Sequence, residues 1–155
     1  VVAKNGCFML NVGPKADGTV CREEKQLLLD IGKWLSVNGT AIRGSLPFEV
    51  CAFEGRKSKN GSFKENKTFR SGDYCFTAKP GKIFVFPMAE KLPQVLKIKS
   101  LRRANEGGIR YDVKSVRILG KDQKLPFEQS EKLFKITLPA KMNHETPICI
   151  EIDVD

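Results

Sequence analysis

The chain has 155 residues, 41% of them hydrophobic and 29% charged, which suits a packed domain with a small appendage and excludes wholesale disorder. No stretch approaches the roughly 18 consecutive apolar residues of a membrane span. Twenty-seven basic against 18 acidic side chains leave a net charge of +9, which favours acidic partners without selecting one. Val1-Val2-Ala3 runs at once into Lys4-Asn5-Gly6, unlike a secretory leader. A start without Met, directly in strand-like sequence, reads as a piece of something longer.

Cys7-Phe8-Met9-Leu10-Asn11-Val12 is a short apolar run bounded by Asn5-Gly6 and Gly13-Pro14. Without polar alternation it predicts a strand buried on both faces, as in a parallel sheet. From Arg22 to about Val37, Leu27, Leu28, Ile31, Trp34 and Leu35 recur three and four apart, opposite Glu24, Lys25 and Lys33. That period predicts an amphipathic helix. Thr19 is the expected N-cap, Glu23 and Glu24 suit the positive end of the helix dipole, and Asn38-Gly39 supplies a left-handed stop. Strand, Gly/Pro/Asp-rich loop and helix make one β-α unit with no second of its kind.

Beyond Gly39 the pattern changes. Apolar runs separated by turn residues fall at 48–53, 74–78, 82–86, 95–101, 113–119, 133–138 and 147–154. The last is the clearest: Ile148, Ile150, Ile152 and Val154 face one way, and Cys149, Glu151 and Asp153 the other. Phe134, Ile136 and Leu138 repeat the pattern against Lys135 and Thr137. Period-two runs of this kind predict an antiparallel β-sandwich with one wet face per sheet. The fold class is therefore mainly β, with one β-α unit ahead of the sandwich. The stretch 55–72, rich in Lys, Asn, Gly and Ser, reads as a long mobile loop or an edge hairpin.

The basic clusters Arg56-Lys57-Ser58-Lys59 and Arg102-Arg103 lack interleaved aromatics, so a solvated surface is expected rather than a nucleic-acid site. Five cysteines (Cys7, Cys21, Cys51, Cys75, Cys149) show no metal spacing and read as structural thiols. The single histidine, His144, sits in a polar turn and makes no cluster. Neither a metal nor a cofactor is expected, nor a membrane partner.

Lys4-Asn5-Gly6, Leu10-Asn11-Val12-Gly13-Pro14-Lys15-Ala16-Asp17-Gly18-Thr19, Ile31-Gly32-Lys33-Trp34-Leu35 and Asn38-Gly39-Thr40-Ala41-Ile42 together form a pattern. It resembles the α-L-fucosidases of glycoside hydrolase family 29. Phe53-Glu54-Gly55 and the strands near Lys82, Val95 and Val116 match the family more loosely. Cys21 and Arg56 stand where the family commonly has Pro, and Arg43 where an aromatic often follows.

The resemblance implies that residues 1–44 are the last strand and helix of a (β/α)8-type catalytic barrel. Residues 45–155 are then the carboxy-terminal β-sandwich. It further implies that both catalytic carboxylates lie upstream of Val1, so that this chain is inactive alone. Asn11, Gly13 and Pro14 fall at the carboxy-terminal end of the barrel strand, the end where such barrels do their chemistry. They are the substrate-proximal candidates, with Asn11 either holding a sugar hydroxyl or a loop, or satisfying backbone groups at a tight turn. Asp17, Glu23 and Glu24 read as turn and helix-start residues. Trp34 is expected to pack against the sandwich or the barrel rather than stack on sugar. The implied partners are the upstream barrel and a fucosylated glycan, with self-association open and a periplasmic, secreted or lysosomal setting. The rival reading is a glycan-binding sandwich without hydrolysis, using Phe63, Phe69 and Tyr74 among Lys64, Lys67 and Arg70.

Overall fold

A computed structural model describes residues 1–55, 68–103, 111–140, 142 and 147–155. Among the described residues, one α-helix, α1 (Arg22–Asn38), precedes nine strands. These are β1 (Leu46–Pro47), β2 (Phe53–Glu54), β3 (Tyr74–Lys79), β4 (Lys82–Pro87), β5 (Val95–Ile98), β6 (Val113–Ile118), β7 (Phe127–Gln129), β8 (Phe134–Thr137) and β9 (Ile150–Val154). The larger sheet runs β1-β3-β4-β9-β6, with β2 also on β3, and the smaller runs β5-β8-β7. Every pairing is antiparallel. The β3–β4 hairpin turns on Pro80-Gly81, where proline presets one φ and Gly81 takes the positive φ of 72° that the next position requires.

The two sheets close on a shared core. Phe76, Ile83, Val85, Val116, Ile150 and Ile152 from the larger meet Leu96, Ile98, Phe134 and Ile136 from the smaller. This is the predicted sandwich, and the runs at 74–78, 82–86, 113–119 and 133–138 became β3, β4, β6 and β8. The run at 48–53 did not become one strand: Phe48 is a core residue between the two-residue strands β1 and β2. The short β7, edged by Lys124 and Pro126, carries too little alternation to be read from sequence.

The larger sheet has no wet face at its centre. Phe84, Phe86 and Cys149 on its reverse side are buried with Ala41, and Trp34, Ile42, Cys75 and Leu119 pack against them. Glu151, expected in solvent, is buried on the same side. A helix and the short 3-10 turn Gly39–Ala41 cover what alternation alone assigns to water. The link is polar as well as apolar: the Trp34 indole donates to the Pro147 carbonyl at 2.7 Å, and the Thr77 hydroxyl to the Ala41 carbonyl at 2.7 Å.

Three local expectations are corrected. The N-cap is Cys21, without a side-chain bond, because the Thr19 hydroxyl donates to Asp17 Oδ1 at 2.7 Å instead. Gly39 is right-handed (φ −61°) and leads into the 3-10 turn, while Gly44 takes the left-handed turn (φ 66°). Cys7–Val12 forms no strand, since a parallel strand needs neighbours to bond and none stands beside it among the described residues. The stretch 56–67, most of the expected loop or hairpin, lies outside the described residues.

Glu54 joins the two sheets, and Gly55 follows it against Asp73. The Glu54 carboxylate accepts the Lys99 and Ser100 backbone N–H groups (2.7 and 2.8 Å) and the Ser100 hydroxyl (2.7 Å), just beyond β5. Gly55 has φ 144°, and a Cβ there would lie 2.3 Å from Asp73 Oδ1 and 2.9 Å from its Cα. We therefore expect Gly55→Ala to destabilise the fold by at least about 1–3 kcal/mol, the usual cost of overpacking. Urea unfolding should show a lower midpoint at an unchanged slope.

Candidate functional site

The candidate residues Asn11, Gly13 and Pro14 lie together on an exposed segment that enters a small hairpin-like turn. Pro14 pairs with Val20 across it, and the Lys15 N–H donates to the Thr19 carbonyl at 2.7 Å. Asp17 Oδ1 accepts both the Thr19 N–H (2.9 Å) and its hydroxyl, and these bonds hold the Asp17 carboxyl below the usual carboxylate range. Asp17 is thus a turn residue, as its sequence position predicts. The Asn11 amide has no hydrogen-bond partner among the described residues, so nothing here ties it to the turn. The base of the turn is met from the helix, where Glu24 Oε1 accepts the Gly13 N–H at 3.4 Å. Sequence reasoning treated Glu24 as a dipole residue; the chain's return on itself, which brings it to Gly13, has no signature in spacing.

Around this turn the surface is apolar. Phe8 is 68% exposed, Met9 83%, Leu27 56% and Leu29 51%, with Leu10, Val12, Val20 and Leu28 also uncovered. The helix therefore splits lengthwise. Its carboxy-terminal half reaches the sandwich through Trp34, and through Val37 at Gly120, while its first turns present leucines to nothing within the described residues. Exposure of this many large apolar side chains marks an interaction face rather than a solvated one. Trp34 is part of the packed half, its ring centroid 6.4 Å from that of Phe86, as expected for an interface residue.

The densest charge cluster lies elsewhere, on the helix side of the larger sheet. Lys82 Nζ reaches Glu151 Oε1 (2.9 Å) and Asp153 Oδ1 (2.5 Å), Arg117 adds a second cation to Glu151, and the Ser115 hydroxyl donates to Asp153. Two neighbouring carboxylates invite comparison with a glycosidase pair. Here the Lys82 ammonium and the Ser115 hydroxyl hold the Asp153 carboxyl below its usual range. A general acid requires the opposite shift. No group of three or more potential metal ligands occurs among the described residues.

Of the rival glycan-binding residues, Phe63, Lys64 and Lys67 lie outside the described residues, as do Arg56–Lys59 and His144. Tyr74 is buried, its hydroxyl accepting the Lys97 N–H at 3.2 Å, and Phe69 is partly exposed. All five cysteines are free thiols. Cys149 is buried and its thiol is pushed up by that burial, whereas Cys7 is exposed, against expectation, because its strand is unpaired.

The architecture, a helix-backed antiparallel sandwich, is that of the carboxy-terminal domain of a class of glycoside hydrolases. Residues 1–40 match the family model described as alpha-L-fucosidase. The alpha-L-fucosidase of Dictyostelium discoideum is 49% identical over 49 residues, which are 32% of this chain and 11% of that protein. Human tissue alpha-L-fucosidase is 45% identical over 49 residues, 32% of this chain and 10% of that protein. The crystal structure of Thermotoga maritima alpha-fucosidase with a mechanism-based inhibitor superposes on 99% of this chain and 31% of its own, at TM-score 0.71 and 28% identity. The first 40 residues are thus similar in sequence to α-L-fucosidases and the chain is similar to one in fold, and it spans less than a third of that solved relative.

The charge cluster sets the acid response. Asp153 has a folded pKa below its unfolded value of about 3.9, so its contribution is present above that pH and lost as pH falls through the folded value. Lys82 is shifted up by its bonds to Asp153 and Glu151, so its contribution is complete at neutral pH and lost only as pH rises through its folded value. Lys82→Met should therefore lower stability at pH 7, with the gap to the unmodified chain narrowing below about pH 4. Urea titrations at pH 7 and pH 3 check both.

Proposed function

We propose that this chain is the carboxy-terminal part of an α-L-fucosidase, a retaining glycoside hydrolase that removes α-L-fucose from glycans. In this reading residues 1–44 complete a (β/α)8-type catalytic barrel and residues 45–155 form the sandwich that braces it. The observation that carries the proposal is the uncovered apolar strip from Phe8 to Leu29, on the segment that matches the family model. A strand-like run lacking neighbours and a helix with bare leucines are what one barrel unit leaves when its companions are not beside it. Burying such side chains stabilises by about 1.5–3 kcal/mol each. The whole strip therefore supplies ample coupling between barrel and sandwich.

The reaction needs two carboxyl groups about 5 Å apart, one nucleophile and one acid/base. In the proposed enzyme both come from the upstream barrel, in keeping with the commitment of Asp17, Glu151 and Asp153 here to turns and cations. This chain's share is positional. The segment that would be the barrel's last strand ends at Asn11, Gly13 and Pro14, and the carboxy-terminal ends of such strands are where substrate binds. The Asn11 amide, without a hydrogen-bond partner among the described residues, is available to a fucose hydroxyl or the backbone of a catalytic loop.

Hydrolysis of an aryl α-L-fucoside should appear in the longer protein and be absent from this chain alone. Turnover by the chain alone would overturn the assignment of both carboxylates to the upstream barrel. Inactivity of both, with sugar at millimolar concentration shifting the resonances of Phe69 and Arg70, would transfer the function to glycan binding by the sandwich. Within the longer protein, Asn11→Ala should lower kcat by roughly 10- to 100-fold, about 1.4–2.7 kcal/mol of transition-state stabilisation. Its melting temperature should be unchanged.

A further inference from the structure

We infer that Glu24 is a positioning residue through which the sandwich fixes the Asn11–Pro14 segment. The inference rests on the reading above that this segment faces substrate. Its basis is a continuous mechanical path. At one end, the Trp34 indole donates to the Pro147 carbonyl and the Thr77 hydroxyl of β3 to the Ala41 carbonyl, so the carboxy-terminal end of α1 is fixed to the larger sheet. From Trp34 the helix runs back ten residues as a rod of about 15 Å to Glu24. At the other end Glu24 Oε1 holds the Gly13 N–H, at the mouth of the turn that the Pro14–Val20 pairing and the Asp17–Thr19 bonds make rigid.

A second observation separates Glu24 from an ordinary acidic residue in a first helical turn. Glu23, its neighbour, is exposed and needs no role beyond the helix dipole. Glu24 is half-buried, and its Oε2 is shielded from water with no hydrogen-bond partner among the described residues. A shielded carboxylate oxygen is costly unless a donor meets it. It lies beside the apolar strip, where the covering segment of the barrel would bring one. Glu24 then joins three parts: the helix it belongs to, the Gly13 backbone, and the domain seated on the strip.

The test has two readouts. Amide hydrogen exchange on this chain should be faster at Gly13 by roughly tenfold in Glu24→Ala, the equivalent of losing about 1.4 kcal/mol of protection. Exchange at the Trp34 indole should be unchanged. Glu24→Gln, which keeps a carbonyl oxygen for Gly13, should retain most of the protection. In the longer protein Glu24→Ala should lower kcat by roughly tenfold with KM within about twofold, and Glu24→Gln should restore most of the loss. Unaltered Gly13 exchange in Glu24→Ala, or a kcat loss that Glu24→Gln shares in full, would overturn the inference. An unmodified longer protein inactive on fucosides would instead overturn the functional reading, with the exchange experiment still deciding the clamp. Should Glu24→Ala fail to fold, Glu24→Asp shortens the reach while keeping the charge and is read the same way.

Discussion

The centre of the larger sheet is buried on both faces, and most of the molecule's other features follow from that. Strands β4 and β9 send Ile83, Val85, Ile150 and Ile152 into the inter-sheet core and Phe84, Phe86 and Cys149 toward the helix. A central antiparallel sheet with two apolar faces needs two covers. The smaller sheet is one. The other is built from the last turns of α1 and the 3-10 turn after it, so the helix is part of the sandwich's core although its sequence belongs with the segment before it. The split loyalty of α1, packed at Trp34 and bare at Leu27, is the geometric result.

The same constraint explains the buried charge. Glu151 sits in register between Phe84 and Arg117 on the helix side of the sheet. At 3% exposure an isolated carboxylate there would be severely penalised. Lys82 and Arg117 flank it from both neighbouring strands, with their heads partly in solvent, so the cluster closes the edge of the second core. Replacing one partner leaves a buried charge half-matched, which is why such clusters lock a register even when they add little net stability.

The sheet architecture was legible because period-two alternation and turn residues are local properties. β3, β4, β6, β8 and β9 announce themselves through Phe76, Val85, Val116, Ile136 and Ile152. What alternation misses is the occupant of the second face. Cys149 and Glu151 look wet in sequence and are dry in the fold, because the cover arrives from more than a hundred residues earlier. Cys7–Val12 shows the converse. Its composition asks for a strand buried on both faces, and the fold leaves it open because pairing depends on strands that are not beside it. The site was legible in part. Asn11, Gly13 and Pro14 stood out through a family pattern, whereas Glu24 did not, since its contact depends on the chain folding back between Pro14 and Val20.

One feature of the topology bears on how the protein is made. β9, Ile150–Val154, is the last of the described strands in sequence yet lies between β4 and β6, with register partners as early as Lys82. During synthesis β3 and β4 can form their hairpin early, but β6 has no place to dock until β9 has emerged. The nascent sheet therefore waits with the inner edge of β4 open, its backbone donors and acceptors unpaired and its aromatic residues uncovered. Such an intermediate is long-lived by the standards of local folding and prone to pair with other chains. Emergence of β9 thus becomes a checkpoint: a chain stopped short of Ile150 lacks the strand that joins β4 to β6 and is suited to degradation rather than to partial function.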